Sequence, residues 1–172
     1  MEHIPPKGKK GKRLSVVLLV IACVGLIGAA VLDVSYRLFY QLIAVGVYIF
    51  SFELLNRYHI SSYCYTVDEE NFIITKRMGK RVQTVCNLSL STLITIEKTP
   101  KTKEEKAEFL LKCPKANIRY NYCQSLQPKN SYRIFFEFNE RVASIAFEPN
   151  EAMVLYLKSR IRAKNTSEEN VL

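Results

Sequence analysis

The sequence predicts an α+β membrane protein: a two-helix transmembrane hairpin, then a seven-stranded antiparallel β-sandwich or barrel with a C-terminal helix. Three observations carry that expectation. Lys7, Lys9, Lys10, Lys12 and Arg13 crowd the start, and no charged residue follows from Leu14 to Leu32. After the polar break Asp33 to Arg37 the chain runs apolar again from Leu38 to Phe52. The rest reads as short, mostly alternating segments separated by hairpin-sized turns, with one amphipathic stretch at the end.

The first uncharged run matches the ~20 helical residues that cross a bilayer core of roughly 30 Å. Cations ahead of a first span hold that end in the cytoplasm. Residues 1–13 are therefore expected as a basic cytoplasmic N-terminus, 14–32 as the first span, 33–37 as an external turn and 38–55 as the returning span. Both termini then face the cytoplasm across a cell (inner) membrane. A cleaved signal is the rival reading, with Gly28-Ala29-Ala30 as its small-residue site, but the apolar run ahead is longer than a usual h-region. The second span is shorter; Arg37 can snorkel, and Tyr36, Tyr40 and Tyr58 suit the interfaces. Ala22, Gly25 and Ala29 are spaced to let another helix approach closely, from this chain or from a different one.

About 115 residues follow the spans, enough for one domain with a modest core. The chain carries +9, and from Asn56 onward 19 lysines and arginines face 13 acids. For a domain tied to a bilayer the nearest polyanion is the inner leaflet. Nucleic acid is disfavoured as a partner, because the charge is scattered and no recognition motif accompanies it.

The domain is expected over residues 58–163, with a flexible tail over 164–172. Its strands are Tyr58 to Val67, Phe72 to Lys76, Arg81 to Asn87, Leu93 to Lys98, Asn117 to Gln124, Tyr132 to Asn139 and Val142 to Glu148. Thr102 and Glu105 have capping-box spacing, which starts a helix whose Ala107, Leu110 and Leu111 share a face before Pro114. The last helix starts near Pro149-Asn150. Met153, Leu157 and Ile161 recur every four residues as a stripe to lay on a sheet.

The run from Tyr63 to Val85 carries a further signal. It resembles the opening of bacterial pleckstrin-homology-like (PH-like) domains. There, a strand with Y-x-(I/V)-(D/E) leads into x-(L/F)-x-I, a short basic turn and a strand ending before L-S-x-(I/L)-x-x-I; Leu88 to Ile96 fits that last piece. The resemblance covers most of Tyr58 to Arg162, and the helix at Thr102 to Cys113 departs from it. It implies a bacterial source, a domain joined directly to two membrane helices, and ligands taken by loops at one end or by a peptide beside the sheet. Bacterial members are not generally phosphoinositide readers, so the resemblance supplies no lipid-site residues.

Chain direction supplies the candidate site. The first strand leaves the membrane from Arg57, so the acidic turn Asp68 to Asn71 is distal and the next turn comes back. Lys76, Arg77, Lys80 and Arg81 are then expected to face the anionic leaflet, where each cation gains on the order of 1 kcal/mol. A solvated hairpin tip, with Gly79 serving only its φ, is the plain alternative.

Catalytic chemistry finds no foothold in the motifs. Cys23, Cys64, Cys86, Cys113 and Cys123 form no C-x-x-C pair and have no histidine at metal spacing. His3 lies in the N-terminal segment, expected to be loose, and His59 just past the second span. Glu53 near the inner end of that span has no second ionisable group beside it. Asn165-Thr166-Ser167 is a glycosylation sequon that is silent in the cytoplasm. Neither a catalytic site, a cofactor nor a metal is expected. The expectation is a non-enzymatic binding or scaffold module at the leaflet, with the lipid bilayer and a protein as partners; the alternative is a small accessory subunit assembled through its spans.

Overall fold

The computed structural model describes residues 1–31 and 37–169. The chain divides into two units, one of residues 6–62 and one combining Met1–Pro5 with the chain from Tyr63 onward. The expected external turn at 33–37 lies outside the described residues except for Arg37.

In the first unit, α1 (Lys9–Val31) and α2 (Arg37–Leu55) are both long and apolar enough to span a membrane. Only 11% and 17% of their apolar windows are buried. A core helix of a soluble domain buries far more, whereas most side chains of these two helices are exposed. A narrow seam of small residues joins them. Ser15 and Ala22 on α1, and Ala44 and Ser51 on α2, are buried at seven-residue spacing, the repeat of helices that cross at a shallow angle. A Cβ on Gly25 would sit 3.8 Å from that of Ala44. Ala22 and Gly25 of the expected small-residue stripe therefore serve a contact inside the chain. The seam hydroxyls bond their own helices, Ser15 Oγ to Lys12 O at 2.8 Å and Ser51 Oγ to Val47 O at 2.6 Å. Neither seam hydroxyl is thereby left without a hydrogen bond.

A π-turn, Asn56–Ile60, ends α2 and replaces the expected start of the first strand. It turns Tyr58 against α1, where a Cβ on Gly11 would lie 2.4 Å from the Tyr58 ring. Lys7 Nζ donates to His59 O at 3.1 Å, and the His59 Nε2–H reaches Lys12 O at 3.3 Å. The lysine-rich approach to α1 is thus held in place rather than free.

The second unit contains two four-stranded sheets. In the first, β1 (Glu2–His3), β2 (Ser61–Val67), β3 (Asn71–Met78) and β4 (Arg81–Ser89) lie in chain order. The second is built from β5 (Leu93–Lys98), β6 (Ile118–Asn121), β7 (Tyr132–Phe138) and β8 (Arg141–Phe147), in the order β5-β7-β8-β6. Between β5 and β6 runs α3 (Lys103–Lys112), and α4 (Glu151–Glu169) closes the chain.

Every one of the seven expected strands is present, but the single antiparallel seven-stranded sandwich is not. Two features replace it. Glu2 and His3 add an eighth strand, antiparallel to β2, pairing with Thr66 and Tyr65. In addition, β6 runs parallel to β8. Since β7 is antiparallel to both β5 and β8, strands β5 and β6 are parallel to each other. Parallel strands need a crossover, and α3 is that crossover rather than a decoration between neighbouring strands.

The core lies between the sheets and α4. Tyr65, Phe72 and Phe147 are fully buried and meet edge to face, with ring centroids 5.4 and 5.2 Å apart. Met153, Leu157 and Ile161 pack there as their spacing predicts. The capping box forms: Thr102 Oγ1 accepts from Glu105 N at 3.2 Å and the Glu105 carboxylate accepts from Thr102 N at 3.3 Å. The face of α3 is different from the expected one. Leu110 and Leu111 are 66% and 88% exposed, while Phe109 packs on Phe135 at 5.8 Å. At the other end of the chain α4 runs on to Glu169, beyond the expected stop near Ala163.

Candidate functional site

The basic hairpin is built by β3 and β4. They pair from Asn71↔Ser89 to Met78↔Arg81 and leave a two-residue turn, Gly79-Lys80. Gly79 takes φ +58°, at the first turn position where glycine matches the twist of paired strands. An added Cβ there would meet nothing within 4 Å, so backbone conformation rather than space selects glycine. The ladder slips by one residue opposite Ile74 and Thr75 and bulges Val85 out of register. Tyr122 fills the gap, its hydroxyl donating to Val85 O at 3.3 Å.

Along the sheet the charges segregate. Asp68, Glu69 and Glu70 occupy the β2–β3 turn, where Asp68 N donates to Asn71 O at 2.9 Å. The Gly79-Lys80 tip lies at the opposite end, level with the start of β2. Lys80 and Arg81 are exposed, Lys76 and Arg77 half-buried. The four candidate residues thus share one end of one hairpin.

They do not share one environment. Among the described residues Arg77 alone of the four makes an ion pair, its Nη2 lying 2.8 Å from Glu2 Oε1. The same oxygen accepts from Cys64 Sγ at 2.9 Å. First the Cys64 hydrogen bond and then the Arg77 guanidinium hold the Glu2 carboxyl below the usual carboxylate range. Burial, reinforced by the bond to Glu2, pushes the Cys64 thiol up. Arg77 Nε is buried and has no hydrogen-bond partner among the described residues.

Main-chain pairing positions Glu2. Met1 and Val67 exchange both backbone hydrogen bonds at 2.8 Å, and the His3 ring stacks on Tyr65 at 6.3 Å. Sequence reasoning treated this segment as loose and missed Glu2 as the Arg77 partner. The only local sign was a single acid in an otherwise cationic leader.

Other chemistry-bearing side chains lie apart from this site. Cys123 is buried, and burial pushes the Cys86 thiol up to about 11, so the Cys86 thiol is not readily ionised. Among the described residues no three His, Cys, Asp or Glu side chains form a metal-holding group. A groove of about 240 Å³ lies between β5 and α3, lined by Glu97, Thr99, Pro100, Glu105, Glu108 and Phe109 among others. None of the four basic candidates reaches it.

No protein-family profile, curated protein or solved structure matches this chain. What stands is therefore the architecture itself: two helices long and apolar enough to cross a membrane, and a domain of two four-stranded sheets with a C-terminal helix.

Proposed function

We propose that the chain is a two-pass membrane protein that presents a PH-like, non-enzymatic binding or scaffold domain at the cytoplasmic leaflet of a bacterial cell membrane. The pairing of β1 with β2 carries the reading. The chain leaves the sheet just before α1 and rejoins it just after α2, so both ends of the helical segment belong to one folded body. If α1 crosses a bilayer, α2 must cross back. The cations at residues 7–13 favour the cytoplasm for that shared side. Lys76, Arg77, Lys80 and Arg81, gathered at the sheet end where β2 begins, are the groups offered to anionic headgroups.

The test uses the full chain in nanodiscs, with an environment-sensitive dye on Val82→Cys, an exposed position beside the tip. Anionic lipid is expected to shift the dye emission relative to neutral lipid. Salt should reverse the shift, and serine at all four basic positions should abolish it. Identical emission in both lipids refutes the leaflet-facing tip.

A second reading, a small accessory subunit assembled through its spans, has its own observation. A Cβ added at Gly28 or Gly46 would meet nothing within 4 Å. Among the described residues no contact requires glycine there, and a glycine surface is one that a helix from another protein could approach closely. Sizing after mild detergent extraction separates the two readings: co-migration with a larger complex, lost in Gly28→Leu or Gly46→Leu, favours the subunit.

A further inference from the structure

We infer that Arg77 is a phosphate site whose occupant in this structure is the chain's own Glu2, so that an anionic lipid headgroup and the N-terminal strand compete for one guanidinium. The inference rests on the leaflet-facing reading of the basic hairpin and adds a specific residue, a ligand chemistry and a displaceable segment to it.

The geometry of the pair carries the argument. A guanidinium binds a carboxylate best through two parallel N–H···O bonds. Here Glu2 offers one oxygen to Nη2, and that oxygen also accepts from Cys64. Arg77 Nε is left buried without an acceptor. A buried donor without a partner is uncommon in native folds and marks a place where a partner fits. A phosphate group has the oxygens to take Nε and Nη2 together, which the observed carboxylate does not do. The surroundings favour an anion, since Lys76, Lys80 and Arg81 stand on the same hairpin and make no ion pair among the described residues.

The segment carrying Glu2 is short and held by few contacts. β1 is two residues long, and Pro5-Pro6 follow closely. The Arg77 and Glu2 side chains are 42% and 53% exposed, so solvent screens their attraction. When a phosphate takes Arg77, Glu2 loses its cation and the strand loses its only side-chain ion pair among the described residues. Cys64, 1% exposed and hydrogen-bonded to Glu2, lies at the contact that then opens.

That thiol is a native reporter. The experiment measures site-resolved alkylation of Cys64 by mass spectrometry, with the full chain in neutral nanodiscs, in anionic nanodiscs, and in neutral nanodiscs with added inorganic phosphate. The Val82→Cys dye signal is read in parallel under the same conditions. Anionic discs are expected to speed Cys64 alkylation about two- to fivefold, the range that loss of an exposed ion pair supports. Glu2→Gln should raise the rate in neutral discs and flatten the lipid response. Arg77→Gln, which removes the site from the other side, should do the same. Acceleration by inorganic phosphate alone supports the site and identifies a free anion as a sufficient ligand; acceleration by anionic lipid alone supports it with the headgroup as the source. If the dye responds to anionic lipid while Cys64 does not, the exchange at Arg77 is overturned and the leaflet reading stands. If neither responds, both fall.

Discussion

The two units bury their residues by opposite strategies. In the helix pair the buried residues are the small Ser15, Ala22, Ala44 and Ser51 together with Leu54, and most other large apolar side chains are exposed. The domain does the reverse, placing Tyr65, Phe72 and Phe147 at its centre and its cations outside. Water explains the second pattern, because apolar area removed from it is worth roughly 25 cal/mol per Å². The first pattern is the one expected if the helices lie in lipid, since burying small residues away from water gains little. Helices in lipid associate through close backbone approach, for which small residues are the requirement.

That contrast can be broken in several ways, the largest in the aromatic core. Phe147→Ala removes the ring that both Tyr65 and Phe72 touch, and is expected to cost the domain about 3–5 kcal/mol, read as a lower denaturation midpoint in near-UV circular dichroism. The helix pair should respond to the opposite change. Ala22→Leu adds volume to a seam with no room and is expected to cost roughly 1–3 kcal/mol of helix association. A Gly25→Cys/Ala44→Cys disulfide, which forms readily when the seam is closed, should then form poorly. If Ala22→Leu leaves that disulfide unaffected, the seam is not the contact that holds the helices.

Smaller effects separate the two hairpins of the domain. The β7–β8 turn places Asn139 at φ 49° and Glu140 at φ 59°. Asparagine tolerates that conformation, whereas glutamate is held there by the pairing around it. Glu140→Gly is expected to raise stability by roughly 0.5–1 kcal/mol, measured as a higher midpoint. The smallest effect is a pH dependence of the N-terminal strand. The Cys64 hydrogen bond and the Arg77 guanidinium hold the Glu2 carboxyl below the ordinary carboxylate range, so its contribution is present above that range and is lost as pH falls through the lower folded value. Backbone amide shifts of Thr66 and Val67 should therefore stay constant above about pH 5 and move below it. Glu2→Gln should remove the movement.

Where a feature depends on neighbours in the chain, the sequence made it legible. The capping box at Thr102 and Glu105, the stripe Met153, Leu157 and Ile161, and the seven strand segments all follow from local spacing. What escaped depends on distant pairing. Two residues of β1 are too few to show a period, and Glu2 meets Arg77 across 75 positions. The direction of β6 is set by which neighbour it finds, and no pattern inside Ile118–Asn121 encodes that. α3 was misjudged for another reason. Leu110 and Leu111 fit an inward face by spacing, yet Phe109 had Phe135 to cover and took the contact instead. For the candidate site, the four cations and their turn were readable, but the acid that occupies one of them was not.

The pairing of the first strand with the second also orders events during synthesis. Met1 leaves the ribosome long before Val67, its partner 66 positions later, and the two helices lie between them. With one helix inserted across a bilayer, Glu2 and Thr66 would be on opposite sides, and the first sheet would remain three-stranded with β2 as a bare edge. Only the return of the second helix brings the two strands within reach. If the helices span a bilayer, completion of the first sheet therefore waits for the second crossing, and a chain whose second helix fails to return cannot finish its domain.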